Sequence, residues 1–298
     1  MIYENLLRYR KARYLWWAIA LAVVSVVLFA TQSDTQPASG GTWQGYTLGT
    51  IGALLIVWLG LLGIRKRRYA SSLGTVQGWA SAHIYLGAAT LIVATLHSAA
   101  QLGWNVHTLA WALMLIVILS GFFGVYTYMA YPRLLSANRG GEAREKLFAD
   151  LYELNDKGRA LARQTPPEVA VVVDSSIERT SIGGGVLAQL FGVDHSKFLR
   201  QPADGNPSAA SATASNRDQQ AVIDFVAERI PRSEKRAEAA NLQALLSVLC
   251  RRQAVLRRIR RDIRMQSWLQ TWLYIHVPLT LALLGALVGH IISTFLYW

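Results

Sequence analysis

Four histidines stand inside apolar stretches where a polar side chain is expensive to hold. The segment HIYLGAATLIVATLH sets His83 and His97 fourteen residues apart, and HVPLTLALLGALVGH sets His276 and His290 at the same spacing. An ionisable residue within a membrane-crossing helix marks a functional site by default, because hydrocarbon offers it no partner. On an α-helix this spacing leaves both imidazoles within about 40° of one face and ~21 Å apart along the axis. Two such helices facing one another would present a pair of imidazoles at each of two levels. Neutral imidazole suits the iron of haem, which takes one axial ligand on each face of a flat macrocycle. Iron bound by two histidines is six-coordinate, which favours electron transfer over the binding of oxygen or substrate. Zinc requires a tetrahedral set that two histidines per level do not supply. The competing reading makes each histidine a packing residue bonded to a carbonyl or to water. A spacing that occurs twice, at matched depth, weighs against it.

The elements that must position these rings are membrane spans. The chain has 298 residues, 52% of them hydrophobic, and a mean hydropathy of +0.25. Apolar segments long enough to cross about 30 Å of hydrocarbon run from Tyr14 to Thr31, Tyr46 to Ile64, Trp79 to Ala99, Thr108 to Tyr131 and Trp268 to Leu296. Basic residues are retained on the cytoplasmic side, and all 30 Lys and Arg residues fall on one side of this arrangement. The opposite loops hold one acid, Asp34, and no base. The N-terminus is therefore expected in the cytoplasm and the C-terminus in the periplasm of a bacterial inner membrane. The first span, although it follows a basic start, lacks a clean cleavage site and reads as a retained helix. The formal charge of +12 follows from the same asymmetry, so nucleic acid is not an expected partner, whereas membrane lipid is. The single cysteine, Cys250, permits no disulfide and no C-x-x-C-H haem attachment, and reads as a small buried hydrophobe.

The expected fold is an all-α membrane protein. Residues 1–132 form four transmembrane helices, residues 133–266 a mainly helical cytoplasmic insertion, and residues 267–298 a fifth transmembrane helix, with Pro132 ending the fourth. Spans three and five run in the same direction, so His83 and His276 lie near the inner surface and His97 and His290 near the outer one, within a four-helix bundle. Glycines offer clearance for a macrocycle: Gly49 and Gly52 toward the outside, Gly60 and Gly63 toward the inside, Gly121 and Gly124 in span four, and Gly87 one turn from His83. Small residues also serve plain helix packing in membranes. His107 stands in an outer loop, as a propionate contact or a solvated side chain, and His195 in a surface loop.

Within the insertion, apolar residues recur at helical spacing from Glu142 to Arg163 and again from Glu234 onward, the second helix continuing into span five. These two helices are expected to pair antiparallel. SIGGG at Ser181 to Gly185 lacks phosphate-loop spacing and reads as a turn. The stretch rich in Ser, Ala, Gly and Pro near 202–217 reads as a disordered linker.

Paired H-x13-H segments on spans three and five resemble the membrane domain of ferric reductases and NADPH oxidases. The cytochrome b of quinol-oxidising complexes is similar in pairing two histidines on each of two helices. The resemblance implies two haem b groups, the inner between His83 and His276 and the outer between His97 and His290. It implies a cytochrome b subunit of a membrane oxidoreductase complex, served by a cytoplasmic iron-sulfur or flavoprotein subunit and a periplasmic cytochrome or quinone. A quinol-oxidising or quinone-reducing cytochrome b is the alternative of the same class, and a haem-free membrane anchor the alternative of another. The sixth span and the flavin and nicotinamide domain of ferric reductases are not in this sequence, and residues 133–266 have no counterpart in the pattern. Arg65, Lys66, Arg67, Arg68, Arg133 and Arg264 are the candidate partners for inner propionates.

Overall fold

A computed structural model of the chain describes residues 6–32, 38–68, 72–200, 212–233 and 235–296. Asp34 and residues 202–211 of the expected linker lie outside the described residues. The chain divides into two compact units, residues 1–127 with 271–298, and residues 128–270.

The first unit contains α1 (Arg13–Ala30), α2 (Trp43–Gly60), the short α3 (Leu62–Arg67) and α4 (Val76–His97), the first part of α5 (Val106–Arg139) and the last part of α10 (Arg236–Leu296). Five helical stretches are long and apolar enough to span a membrane. Helix starts are set locally: the Thr42 and Thr75 hydroxyls accept the backbone N–H of Gly45 and Gly78 at 3.1 and 3.0 Å, satisfying first-turn donors that have no helical partner. Helix α4 packs against α1 and α2, burying Ser81, Ala82, Ala89, Thr90 and Val93. Such small side chains let helix backbones approach closely where no hydrophobic effect drives association. The hydroxyls of Ser25, Thr90 and Thr95 return to the carbonyl four residues back at 2.7–2.8 Å, so none is left unpaired in an apolar setting. Large apolar side chains such as Val23, Val24, Val27, Leu281 and Phe295 are exposed, as a lipid-facing surface requires.

The second unit is mainly helical, built from the end of α5, α6 (Arg144–Ala162), α7 (Pro167–Glu178), α8 (Val186–Phe191), a two-stranded antiparallel sheet, α9 (Gln220–Ala227) and the first part of α10. Helices α6 and α10 run antiparallel: Arg144 bonds Gln266, Leu147 and Leu151 pack with Leu256 and Ile259, and Arg252 bonds Asn155. A larger core joins Val169, Val172, Val173 and Ile177 of α7 to Val222 and Val226 of α9 and to Leu242, Leu245 and Leu249 of α10. Gly183 and Gly184 take positive φ of 86° and 107°, making SIGGG a turn.

Three local expectations are corrected. Pro132 lies inside α5 rather than at its end. It removes one helical donor, but the helix continues because Asn138 donates to the Arg258 carbonyl at 2.8 Å and Arg139 pairs with the buried Asp262 at 2.6 Å, tying the next turns to α10. Residues 212–215 of the expected linker form strand β2 (Ala212–Ser215), paired with β1 (Lys197–Arg200) in the register Lys197↔Ser215 to Arg200↔Ala212. The partner strand compensates for a composition with little β preference of its own. Cys250 is exposed on α10, since Leu242, Leu245, Leu249 and Leu256 define the buried stripe and Cys250 falls beside it.

Candidate functional site

The four membrane histidines are brought together as two pairs. The ring centres of His83 and His276 are 6.5 Å apart, and those of His97 and His290 5.9 Å apart. A single metal with an imidazole nitrogen on each side at about 2 Å separates the ring centres by roughly 6.3 Å. Both pairs stand close to that span, too far apart for a direct hydrogen bond and too close for a bystander helix between them. The ring planes are inclined by 65° and 90°.

Each ring is also held through its other nitrogen. His83 Nδ1 donates to the Leu59 carbonyl at 3.1 Å, and His97 Nδ1 to the Gly45 carbonyl at 2.8 Å. A carbonyl can only accept, so Nδ1 carries the proton in both rings and Nε2 keeps its lone pair. The Leu59 carbonyl is placed where the helical ladder is interrupted at Leu61, between α2 and α3. His276 Nδ1 lies 2.7 Å from Ser120 Oγ, whose own proton goes to the Val117 carbonyl at 2.7 Å, so the imidazole is again the donor. His290 Nδ1 meets His107 Nδ1. Orientation by a second hydrogen bond on the far nitrogen is the arrangement that metal-ligating histidines use.

The neighbouring glycines divide by what they accommodate. A Cβ on Gly49 would lie 2.8 Å from His97 Cε1 and 2.9 Å from its Nδ1, so this glycine makes room for the ring itself. Gly121 faces His276 at an ordinary 3.6 Å. Gly124 makes room for the Trp272 indole, whose Nε1 donates to the Ser120 carbonyl at 2.7 Å and whose ring lies 5.4 Å from His276. Gly52, Gly60 and Gly87 meet Val93, Leu284 and Leu59 at 3.8–3.9 Å, as packing glycines do. Gly63 has open space, and with Gly60, Ile64, Arg67 and Arg68 it lines an open cavity of about 420 Å³.

His107 is corrected from a loop to the first turn of α5, because the Asn105 side chain caps that end by accepting the Thr108 N–H at 2.9 Å. Its role as support for His290 was missed in the sequence, as was that of Ser120. The only sequence signal for Ser120 is a hydroxyl within an apolar span. Of the basic residues proposed for inner propionates, Arg65 is buried and donates to the carbonyls of Arg68 and Gly74 at 2.9 and 2.5 Å. Arg133 and Arg264 belong to the other unit. Among the described residues, no cluster of three or more His, Cys, Asp or Glu side chains forms a metal site. Two nitrogens per level complete a coordination sphere only when the other ligands arrive with the metal, as the four pyrrole nitrogens of haem do.

Comparison of the chain with protein-family models, characterised proteins and solved structures yields no match.

Proposed function

We propose that the chain carries electrons across a membrane on two b-type haems, one held by His83 and His276 and the other by His97 and His290. The observation that supports this reading is the geometry of the two pairs: the ring centres of each are separated by about the span of one metal with an imidazole on either side, and every Nδ1 is engaged in a hydrogen bond. When bound, haem iron supplies one-electron redox chemistry at a six-coordinate centre.

The protein's own contribution is to position and to orient. Leu59, Gly45 and Ser120 hold three imidazoles as the tautomer with a free Nε2, and His107 braces the fourth. Gly49 keeps space for the His97 ring, and Gly124 seats Trp272 beside His276. Arg67 and Arg68, at the margin of the open cavity, offer guanidinium groups to inner propionates. Fourteen helical residues set the two levels ~21 Å apart, one toward each membrane surface.

In this reading the chain is the cytochrome b subunit of an oxidoreductase complex in a bacterial inner membrane, with its N-terminus in the cytoplasm. A cytoplasmic iron-sulfur or flavoprotein subunit and a periplasmic cytochrome or quinone stand at the two ends. The test is a dithionite-reduced minus oxidised spectrum of the purified protein, with haem quantified as the pyridine complex. Two haem b per chain are expected, falling to one in His83→Ala and in His97→Ala. A haem-replete expression host yielding protein without a Soret band would refute the reading in favour of a haem-free anchor.

A further inference from the structure

Helix α8 and the turn after it carry an apolar surface that the second unit does not cover. Val186, Leu187, Phe191 and Val193 are 63, 70, 67 and 46% exposed. The other large apolar side chains exposed in this unit, Tyr128, Leu134, Tyr152 and Val171, are scattered. Leu187 and Phe191, four residues apart, share a helical face. Leu190 is buried, and Gly192 in the left-handed conformation at φ 67° ends the helix and turns Val193 back.

The place where α8 is fastened identifies what covers that surface. Trp268 Nε1 donates to the Leu190 carbonyl at 3.2 Å, and Ser267 Oγ donates to Gln189 Oε1 at 2.8 Å. Ser267 and Trp268 stand where the apolar stretch of α10 begins. Just before them, Arg261 and Arg264 are exposed, and Arg264 runs alongside Gly192. A tryptophan at the start of a span, arginines about one and two turns before it and a short helix with an uncovered apolar face together match the layering of a membrane interface, with phosphates outside and acyl chains within.

We infer that residues 186–193 lie in the headgroup region of the bilayer, with Leu187 and Phe191 inserted among the lipids, and that they anchor the second unit to the membrane surface. The inference rests on the reading that the Trp268–Leu296 stretch crosses a membrane, and it is independent of haem.

The experiment places nitroxide labels, one at a time, on the full-length protein in a Cys250→Ser background at Leu187→Cys, Phe191→Cys, Tyr152→Cys and Leu281→Cys. The purified proteins are reconstituted into phosphatidylcholine–phosphatidylglycerol vesicles. Collision with oxygen, which concentrates in lipid, is compared with collision with a water-soluble nickel chelate. Labels at 187 and 191 are expected to favour oxygen several-fold, as the label at 281 in the span does, while the label at 152 favours nickel. Nickel preference at 187 and 191 with oxygen preference at 281 would overturn the inference and leave this face to a protein partner. Nickel preference at 281 would overturn the membrane-spanning premise and the inference with it. Haem content does not enter the readout, so neither outcome is confused with failure of the haem proposal.

Discussion

The Gly49→Ala substitution isolates one imidazole of the outer pair. The new methyl carbon would stand 2.8 Å from His97 Cε1, 2.9 Å from Nδ1 and 3.2 Å from Nε2. Carbon atoms in contact settle at about 3.5–4.0 Å, so the ring must retreat by roughly 0.7–1.2 Å. The retreat draws Nδ1 off the Gly45 carbonyl, now at 2.8 Å, a loss of about 1 kcal/mol. It also forces the side chain off its rotamer, which costs about 1 kcal/mol more. Together these weaken the outer site by about 2 kcal/mol, roughly thirtyfold in affinity. Opposing this, alanine in place of a helix-interior glycine stabilises the helix by up to about 1 kcal/mol, so without the clash the variant would melt higher. The assay is haem per chain after extended washing in detergent, read with the reduced spectrum. Loss confined to one haem is expected, with Gly52→Ala, whose methyl would sit 3.8 Å from Val93, as the unaffected control. Full retention of both haems at unchanged midpoint potentials, or equal loss of both, would refute the reasoning.

Ser120→Ala removes the acceptor of His276 Nδ1. A less basic imidazole favours the ferrous state, so a redox titration should show the inner midpoint rising while the outer stays fixed. In the second unit, burial would raise the Asp194 carboxyl, but the Ser196 hydroxyl and backbone N–H, the Asp218 N–H and the Arg260 guanidinium outweigh it and hold the group below its ordinary value of 3.8. The stabilisation is therefore complete above 3.8 and is lost as pH falls through the lower folded value. Acid titration of full-length protein, followed by tryptophan fluorescence, should show the gap between wild type and Asp194→Asn closing in that window. Burial, with the charges of Arg260 and Arg159, pushes Arg252 down to about 10. Arg252→Met strands the oxygens of Asn155, Gln219 and Thr180 without their donor, and should cost about 3 kcal/mol or more in denaturant unfolding, with Arg252→Lys partly restoring it.

The pairing of the rings was legible because helical rise and a repeated interval fix relative depth without knowledge of anything else. The spans and the α6–α10 pair were legible for the same reason: apolar periodicity reports directly on which face is buried. What supports the rings was not. Leu59 and Gly45 act through backbone carbonyls, which every residue possesses, so no side-chain type announces them. Gly49 and Gly124 look identical in the sequence, yet one accommodates an imidazole and the other an indole, a distinction made only by neighbours distant in the chain. Pro132 misled because a local rule met tertiary anchors at Asn138 and Arg139. The strand pair escaped because Ala212–Ser215 has little strand preference until Lys197–Arg200 lies beside it.

Each imidazole pair joins a residue before the second unit to a residue after it, with His83 and His97 on α4 and His276 and His290 on α10. During translation, the early partners leave the ribosome long before the late ones. Neither metal-spaced gap exists until residues 128–270 have been synthesised and the last apolar helix has been inserted. Were haem to occupy the two pairs as proposed, its loading would be coupled to maturation of a segment that contributes no ligand.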